Sequence, residues 1–238
     1  PDNWNRYSWF YSILPYVEEK PMYEVYTEHL EGPRPGPYSY THLPCKEAVV
    51  SSFMCPSDPV NPKTHNGAGA NNQQGFHGNY VLNAGDDYFN PDGYKSSTRL
   101  NGLFYVFSST AIRDIDDGTT STLFASEINL VPDGPVGSHE QDIRGRYHNV
   151  RHAGALFSTK HPPNTSQPDR HNYCTSKPYA PCTQSGTDVI VSARSHHPGG
   201  VNASMADGSV RFIADDIDPR TYRALGTREG SELLDGDY

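Results

Sequence analysis

The chain has 238 residues, of which only 34% are hydrophobic, and its formal net charge is −9 at pH 7. This acidic balance argues against nucleic acid as a partner, because phosphate recognition needs clustered Lys and Arg and the sequence has no basic stripe. No run of about 18 apolar residues occurs, so these residues contain no membrane-spanning segment. The 21 Gly and 20 Pro favour short strands and ordered loops over long helices.

One short helix is predicted near the start, at 16–26, with Val17, Met22 and Val25 facing inward. Short apolar runs bounded by turn residues then predict a series of strands. These strands are expected at 48–55, 80–83, 103–107, 123–128, 155–159 and 189–193.

The clearest local prediction is a β-hairpin near the end of the chain. Val201, Ala203 and Met205 alternate with polar residues, and a second alternating run follows Asp207-Gly208. Asp-Gly readily adopts the positive φ angles of a tight turn. We therefore expect two antiparallel strands joined at this dipeptide.

Residues 130–188 form a long excursion with few periodic apolar positions and many His, Pro and Asn. Irregular stretches of this length are uncommon in compact domains and are usually functional. No repeat or charged linker divides the chain, so we expect a single domain over 1–238 that includes the excursion.

Five blocks, in order, resemble a known bacterial family. They read WFYSILPYVEEKPMYEVY at 9–26, FMCPSDP at 53–59, DIDDGTTSTLFASE at 114–127, HHPGGVNASMADGSVRFI at 196–213 and ALGTREGSE at 224–232. The sequence is similar to the pilin-like proteins of domain of unknown function 1559, a group expanded in planctomycetes. Members open with a prepilin leader and a long apolar helix, which the present residues lack.

The resemblance implies an α+β fold: a pilin-like globular head with an antiparallel sheet, one short N-terminal helix and long ordered loops. It implies a non-catalytic subunit, outside the cell or on its surface, that self-assembles as a homo-oligomer or fibre into a filament, tube or secretion pseudopilus. The alternative is an extracellular glycan- or solute-binding module whose pocket lies in the 130–188 excursion. No nucleophile elbow, HExxH motif or phosphate loop occurs, so we expect no enzyme.

Export, as the resemblance implies, would allow disulfides. Local pairing of Cys45 with Cys55 and of Cys174 with Cys182 closes two small loops, each stabilising the fold by roughly 2–3 kcal/mol in the chain-entropy model. Three pairings are formally possible, and free buried thiols remain an alternative.

The hairpin motif contains His197, Asp207 and Gly208, for which we expect structural roles. A strand of five or six residues at about 3.3 Å each separates His197 from Asp207 by roughly 20 Å, too far for a catalytic dyad. We expect the imidazole to bond loop backbone and Asp207 to cap the turn.

No cofactor is required by the sequence, but calcium is a candidate because acidic residues cluster at 86–87, 114–117 and 215–218. The candidate ligands are Asp114, Asp116, Asp117, Asp215, Asp216 and Asp218. Glu18 with Glu19, or Glu127 with Asp133, offers a carboxylate pair of the kind glycosidases use, although any acidic protein contains such pairs. The many His residues between 139 and 197 offer a transition-metal site as a further alternative, without a metalloprotease spacing.

Overall fold

The computed structural model describes residues 8–31, 43–64, 75–89, 100–106, 108–134, 141–148 and 153–230. Its helices are α1 (Trp9–Ile13), α2 (Lys20–Glu31) and α3 (Pro219–Gly226), with short 3-10 turns at Leu14–Tyr16, Ser51–Phe53 and Ile112–Asp114. The strands are β1 (Tyr80–Asn83), β2 (Leu123–Glu127), β3 (Leu156–Phe157), β4 (Asp169–His171), β5 (Cys182–Gln184), β6 (Gly200–Met205) and β7 (Val210–Ala214). The α+β class with a short N-terminal helix is confirmed.

Five strands form the main sheet in the order β3-β1-β2-β6-β7. All neighbours are antiparallel except β1 and β3, which are parallel. Strands β4 and β5 form a separate parallel pair. The sheet is therefore mainly antiparallel, as expected, with one parallel edge supplied by the 130–188 excursion.

The β6–β7 hairpin forms where the sequence predicts it. Asp207 Oδ1 accepts hydrogen bonds from the backbone N–H of Ser209 at 2.8 Å and from its hydroxyl at 2.7 Å. Gly208 has a φ of +86°, which a side chain would strain. The predicted roles of Asp207 and Gly208 in the turn are confirmed.

The two faces of the sheet differ in what covers them. Directly paired residues share a face, so Val81, Ser126, Ala203 and Arg211 lie on one side. This side packs into a core that includes Tyr222 and Leu225 of α3. The opposite face presents Tyr80, Glu127, Asn202 and Phe212 in turn from β1 to β7.

An aromatic layer covers the β1 end of that opposite face. The Phe10 ring stacks on Tyr147 with a centroid distance of 4.8 Å, and the Tyr147 hydroxyl donates to the carbonyl of Tyr80 at 2.7 Å. Helices α1 and α2 contribute Phe10, Tyr11 and Tyr26 to this layer, all buried. The N-terminal segment thus forms a second core beside the sheet.

Several predicted boundaries are wrong. The helix expected at 16–26 begins at Lys20, because Glu18 takes a φ of +64° and turns the chain after Leu14–Tyr16. Residues 48–55 contain a 3-10 turn in place of a strand, and 103–106 form no strand, with 107 outside the described residues.

Residues 189–193 make isolated bridges to Phe89, Arg170 and Ser158 without forming a strand of the main sheet. Helix α3 was not expected.

The described part of the 130–188 excursion packs around buried charges. The Arg144 guanidinium lies 2.7 Å from a carboxylate oxygen of Asp142 and 2.7 Å from one of Asp169. Arg194 lies 3.3 Å from the other oxygen of Asp169. An ion-pair network thus replaces the missing apolar periodicity. Among the described residues, no helix has the length and apolar character needed to cross a membrane.

Candidate functional site

Three distant segments bring Cys55, Glu127 and His197 together. Cys55 follows the 3-10 turn at Ser51–Phe53, Glu127 is the last residue of β2, and His197 precedes β6. The Cys55 sulfur lies 3.5 Å from His197 Nε2, which lies 3.2 Å from Glu127 Oε1. All three donor atoms lie within 4.8 Å of one another.

Hydrogen bonds fix two of these residues in position. Glu127 Oε2 accepts from the backbone N–H of Asn202 at 2.7 Å, which turns Oε1 toward His197. The Cys55 N–H donates to Asn79 Oδ1 at 2.8 Å, and Asn79 Nδ2 donates to Asp58 Oδ2 at 2.7 Å. The FMCPSDP loop is therefore held against the end of β2.

The electrostatics of the cluster disfavour an activated nucleophile. Burial raises the pKa of the Cys55 thiol, and the negative charges of Glu127 and Asp58 add to this increase. In a Cys-His-carboxylate triad, the imidazole uses one nitrogen toward the nucleophile and the other toward the acid. Here Cys55 and Glu127 face the same nitrogen, so His197 does not link them as a relay.

His197 does not have its predicted role. Its backbone N–H bonds the Ser195 hydroxyl at 3.1 Å, but the imidazole Nε2 faces Glu127 and Cys55, where backbone was expected. His197 precedes β6 and Asp207 follows it, so the two residues flank opposite ends of this strand. The sequence therefore drew attention to His197 but did not predict the side chains that its imidazole contacts.

The cysteines follow the prediction in one pair only. Cys174 and Cys182 form a disulfide, whereas Cys45 and Cys55 are both free. Cys45 is exposed and Cys55 is buried with its sulfur facing His197, so the expected Cys45–Cys55 bond is wrong. Short sequence separation did not bring these two side chains together, because the intervening chain turns Cys55 toward β2.

The acidic calcium candidates mostly bond within the chain. Asp114 Oδ2 accepts from the Ala111 N–H, Asp117 Oδ2 from Gly230, Asp215 Oδ1 from Asn164, and Asp218 Oδ1 from Arg220 and Thr221. Asp116 and Asp216 are exposed. Within the described ranges, Cys55, Glu127 and His197 are the one group of three or more such ligands that converges. Calcium at the acidic residues stays a prediction.

A second notable surface is the outer edge of β7, which we call the β7 edge (Val210–Ala214). Its side chains include Val210 and Phe212, which are 70% and 50% exposed. Within the part of the chain that the structure describes, β7 pairs with β6 and with no strand on its other side.

Comparison with known proteins places this α+β chain in a family. The family model SBP_bac_10, described as a protein of unknown function (DUF1559), matches residues 1–220. The chain belongs to this family. No curated protein and no solved structure matches it.

Proposed function

We propose that this chain is a non-catalytic structural subunit, a single pilin-like domain outside the cell or on its surface that assembles with copies of itself into a filament, tube or pseudopilus. The observation that supports this proposal most directly is the β7 edge. An unpaired strand edge is a template for pairing with another chain, and proteins that remain monomeric usually protect such edges.

The backbone of the β7 edge is directed outward at its apolar positions. Met205 N–H donates to the Ser209 carbonyl, and Asp215 N–H donates to the Gly199 carbonyl. Because hydrogen bonding alternates along an antiparallel strand, the N–H and C=O groups of Val210 and Phe212 point away from β6. The edge therefore offers both backbone hydrogen bonds and apolar side chains to a neighbour.

Charge complementarity favours a second copy of the chain as that neighbour. Arg211 lies near the start of the edge, and Asp215 lies just beyond its end. A second copy can pair antiparallel with this edge about a two-fold axis at Ile213. Arg211 of each copy then lies opposite Asp215 of the other, and Phe212 of each lies opposite Ala214 of the other. Opposite charges at facing positions stabilise strand pairs, and like charges destabilise them.

The Cys174–Cys182 disulfide supports the proposed location, because disulfides persist mainly in oxidising compartments. It lies in the 130–188 excursion, away from the β7 edge in sequence. The disulfide therefore supports export only. The argument for assembly rests on the β7 edge.

Charge reversal and its repair test this assembly. Arg211→Asp is expected to weaken self-association by about tenfold or more, because it places like charges opposite one another. The double variant Arg211→Asp with Asp215→Arg is expected to restore association. Sedimentation velocity over a concentration series measures the change, and negative-stain microscopy shows whether polymers form.

Phe212→Lys provides an independent test at the same edge, and Tyr16→Lys is the matched control. Tyr16 is also an exposed aromatic residue, at 84%, but it lies in the N-terminal segment. We expect Phe212→Lys to reduce association and Tyr16→Lys to leave it unchanged. A wild-type chain that stays monomeric at all concentrations, or equal effects of the two substitutions, would contradict the proposal.

The second candidate function, a glycan- or solute-binding module, is favoured by aromatic residues on the excursion. Tyr173 and Tyr179 are 43% and 37% exposed and lie on either side of Lys177. Aromatic rings of this kind can stack on sugar rings. Binding on a glycan array that is lost in Tyr179→Ala would favour this function, and an array without binding would count against it.

A further inference from the structure

We propose that Cys55, Glu127 and His197 form a zinc site with three protein ligands and a fourth position that water or another donor fills. This proposal does not depend on the proposed assembly. The site lies where the FMCPSDP loop meets the end of β2 and the start of β6. The ion would bind through the Cys55 sulfur, Glu127 Oε1 and His197 Nε2.

The spacing of the donor atoms fits tetrahedral zinc. Zn–S bonds of about 2.3 Å and Zn–N and Zn–O bonds of about 2.0–2.1 Å place sulfur about 3.5 Å from nitrogen and nitrogen about 3.3 Å from oxygen. The observed distances are 3.5 Å between Cys55 Sγ and His197 Nε2 and 3.2 Å between His197 Nε2 and Glu127 Oε1. The third pair of atoms, Cys55 Sγ and Glu127 Oε1, lies within 4.8 Å, so one ion can contact all three atoms once these two side chains draw together.

Two groups, the Glu127 carboxylate and the Cys55 sulfur, share His197 Nε2. If His197 Nε2 carries a proton, it can donate to Glu127 or to the sulfur, but not well to both. If it is unprotonated, its lone pair faces the Glu127 carboxylate. A cation at the centre satisfies the lone pair, the carboxylate and the sulfur together. Because the Cys55 thiol binds as a thiolate, its proton is released to solvent when the ion enters.

The residues behind the ligands orient them as an outer shell does in known metal sites. The Asn202 N–H holds Glu127 Oε2 at 2.7 Å, and the Asn202 side-chain amide donates to Oε1, the oxygen that would bind the ion, at 3.3 Å. Asn79 holds the Cys55 backbone and is itself bonded to Asp58. Such outer-shell partners fix ligand direction and affect metal affinity by about 10–100-fold.

The donor set selects zinc over calcium or magnesium. Thiolate and imidazole are ligands of borderline and soft cations, whereas calcium and magnesium require oxygen. An ion would reach the site from the His197 side, since the His197 side chain is 28% exposed while that of Glu127 is 3% exposed. The three ligands come from distant segments of the chain. A bound ion would therefore connect the FMCPSDP loop to the end of β2 and the start of β6.

Cobalt substitution tests the site directly. The full chain is freed of metal under anaerobic conditions that keep the Cys174–Cys182 disulfide, and Co²⁺ or Zn²⁺ is then titrated. We expect one ion per chain, the ligand-field bands of a tetrahedral site, and a thiolate-to-cobalt charge-transfer band. Zinc should displace the cobalt, and excess calcium should not. A wild-type chain without the charge-transfer band would overturn the proposal, whatever the variants do.

Variants with matched controls assign the ligands. Cys55→Ser and His197→Gln are expected to weaken zinc affinity by at least about 100-fold, the upper end of outer-shell effects. Cys45→Ser removes the other free thiol, and His196→Gln removes the adjacent imidazole; both should bind zinc within about threefold of wild type, well below such effects.

Zinc should also raise the Tm of the wild type and not that of His197→Gln. Unchanged affinity in Cys55→Ser, or equal losses in Cys45→Ser, would overturn the assignment.

Discussion

Arg144 is a charged side chain that the fold buries completely in the excursion. Its guanidinium is 1% exposed and bonds the carboxylates of Asp142 and Asp169, which are themselves buried. The guanidinium holds the pKa of Asp142 below its usual value despite burial, which alone would raise it. Burying such charges is costly, so removal of one partner leaves the others uncompensated.

Arg144→Met is therefore expected to lower the free energy of unfolding by about 3–5 kcal/mol, because it leaves the buried Asp142 carboxylate without its guanidinium and Asp169 with Arg194 alone. Arg170→Met is the control. Arg170 pairs with Asp188 at 3.6 Å, but the two side chains are 35% and 60% exposed. An exposed pair of this kind contributes about 1 kcal/mol or less. Urea unfolding measures both, and equal losses would contradict the role of the buried network.

Residue chemistry could be predicted from the sequence only where the partners are local. Asp207 and Gly208 act within one turn, and both roles were foreseen. The sequence predicts a disulfide for Cys55, offers Glu127 as a glycosidase carboxylate and predicts a loop contact for His197, and it does not predict that the three side chains meet. Their convergence depends on pairing between β2 and β6 and on the position of the FMCPSDP loop, which no local spacing encodes.

Among the elements, α3 shows how a capping residue resembles a ligand in the sequence. Asp218 Oδ1 accepts hydrogen bonds from the N–H groups of Arg220 and Thr221, both at 3.0 Å, and Pro219 occupies the first helical position. Asp followed by Pro is a strong signal for a helix start. The signal was present in the sequence, but the acidic run 215–218 was interpreted as a calcium candidate.

Asp218→Ala is expected to lower the free energy of unfolding by about 1 kcal/mol through loss of this cap. The effect should reach the core, because Tyr222 and Leu225 of α3 are buried there. Asp216→Ala, an exposed position two residues earlier, is expected to have little effect. Thermal unfolding of the two variants measures the difference, and a fully stable Asp218→Ala protein would show that the cap is not needed.

Across the whole molecule, buried neutral histidines make stability depend on pH. Burial lowers the pKa of His148 to about 3 and that of His171 to about 4, and it lowers that of His77 well below its ordinary value. In the unfolded chain these groups titrate near their ordinary value of about 6.5. The unfolded state therefore binds more protons below pH 6.5, and acid favours unfolding.

We expect stability to be fully present above about pH 6.5 and to fall as the pH is lowered toward 4, by up to about 1.4 kcal/mol per pH unit for each histidine. His148→Gln should reduce this slope, because glutamine does not titrate. The variant should still fold, because its amide can bond the Tyr11 hydroxyl, which lies 3.0 Å from His148 Nδ1. Urea unfolding at pH 7, 6 and 5 measures it. An identical slope in wild type and variant would show that His148 does not contribute.

Fold class and sheet type could be predicted for the whole molecule from the family resemblance, and the last hairpin from the alternation within its strands. The aromatic layer and the ion-pair network could not. Both place side chains from distant segments in contact, as when Phe10 stacks on Tyr147 or Arg144 meets Asp169. The pattern of residues in a short stretch of sequence does not show contacts between distant segments.

The strand order also sets the sequence in which the sheet can form. Val81 pairs with Ser126, Ser126 with Ala203, and Leu82 with Leu156, so most pairings close long loops, whereas only β6 and β7 are joined by a short turn. Non-local pairing of this kind slows folding. A chain shortened before residue 200 lacks β6 and β7, so β2 keeps only β1 as a strand partner. We therefore expect the local β6–β7 hairpin to form early in folding and the long-range strand pairs to follow it.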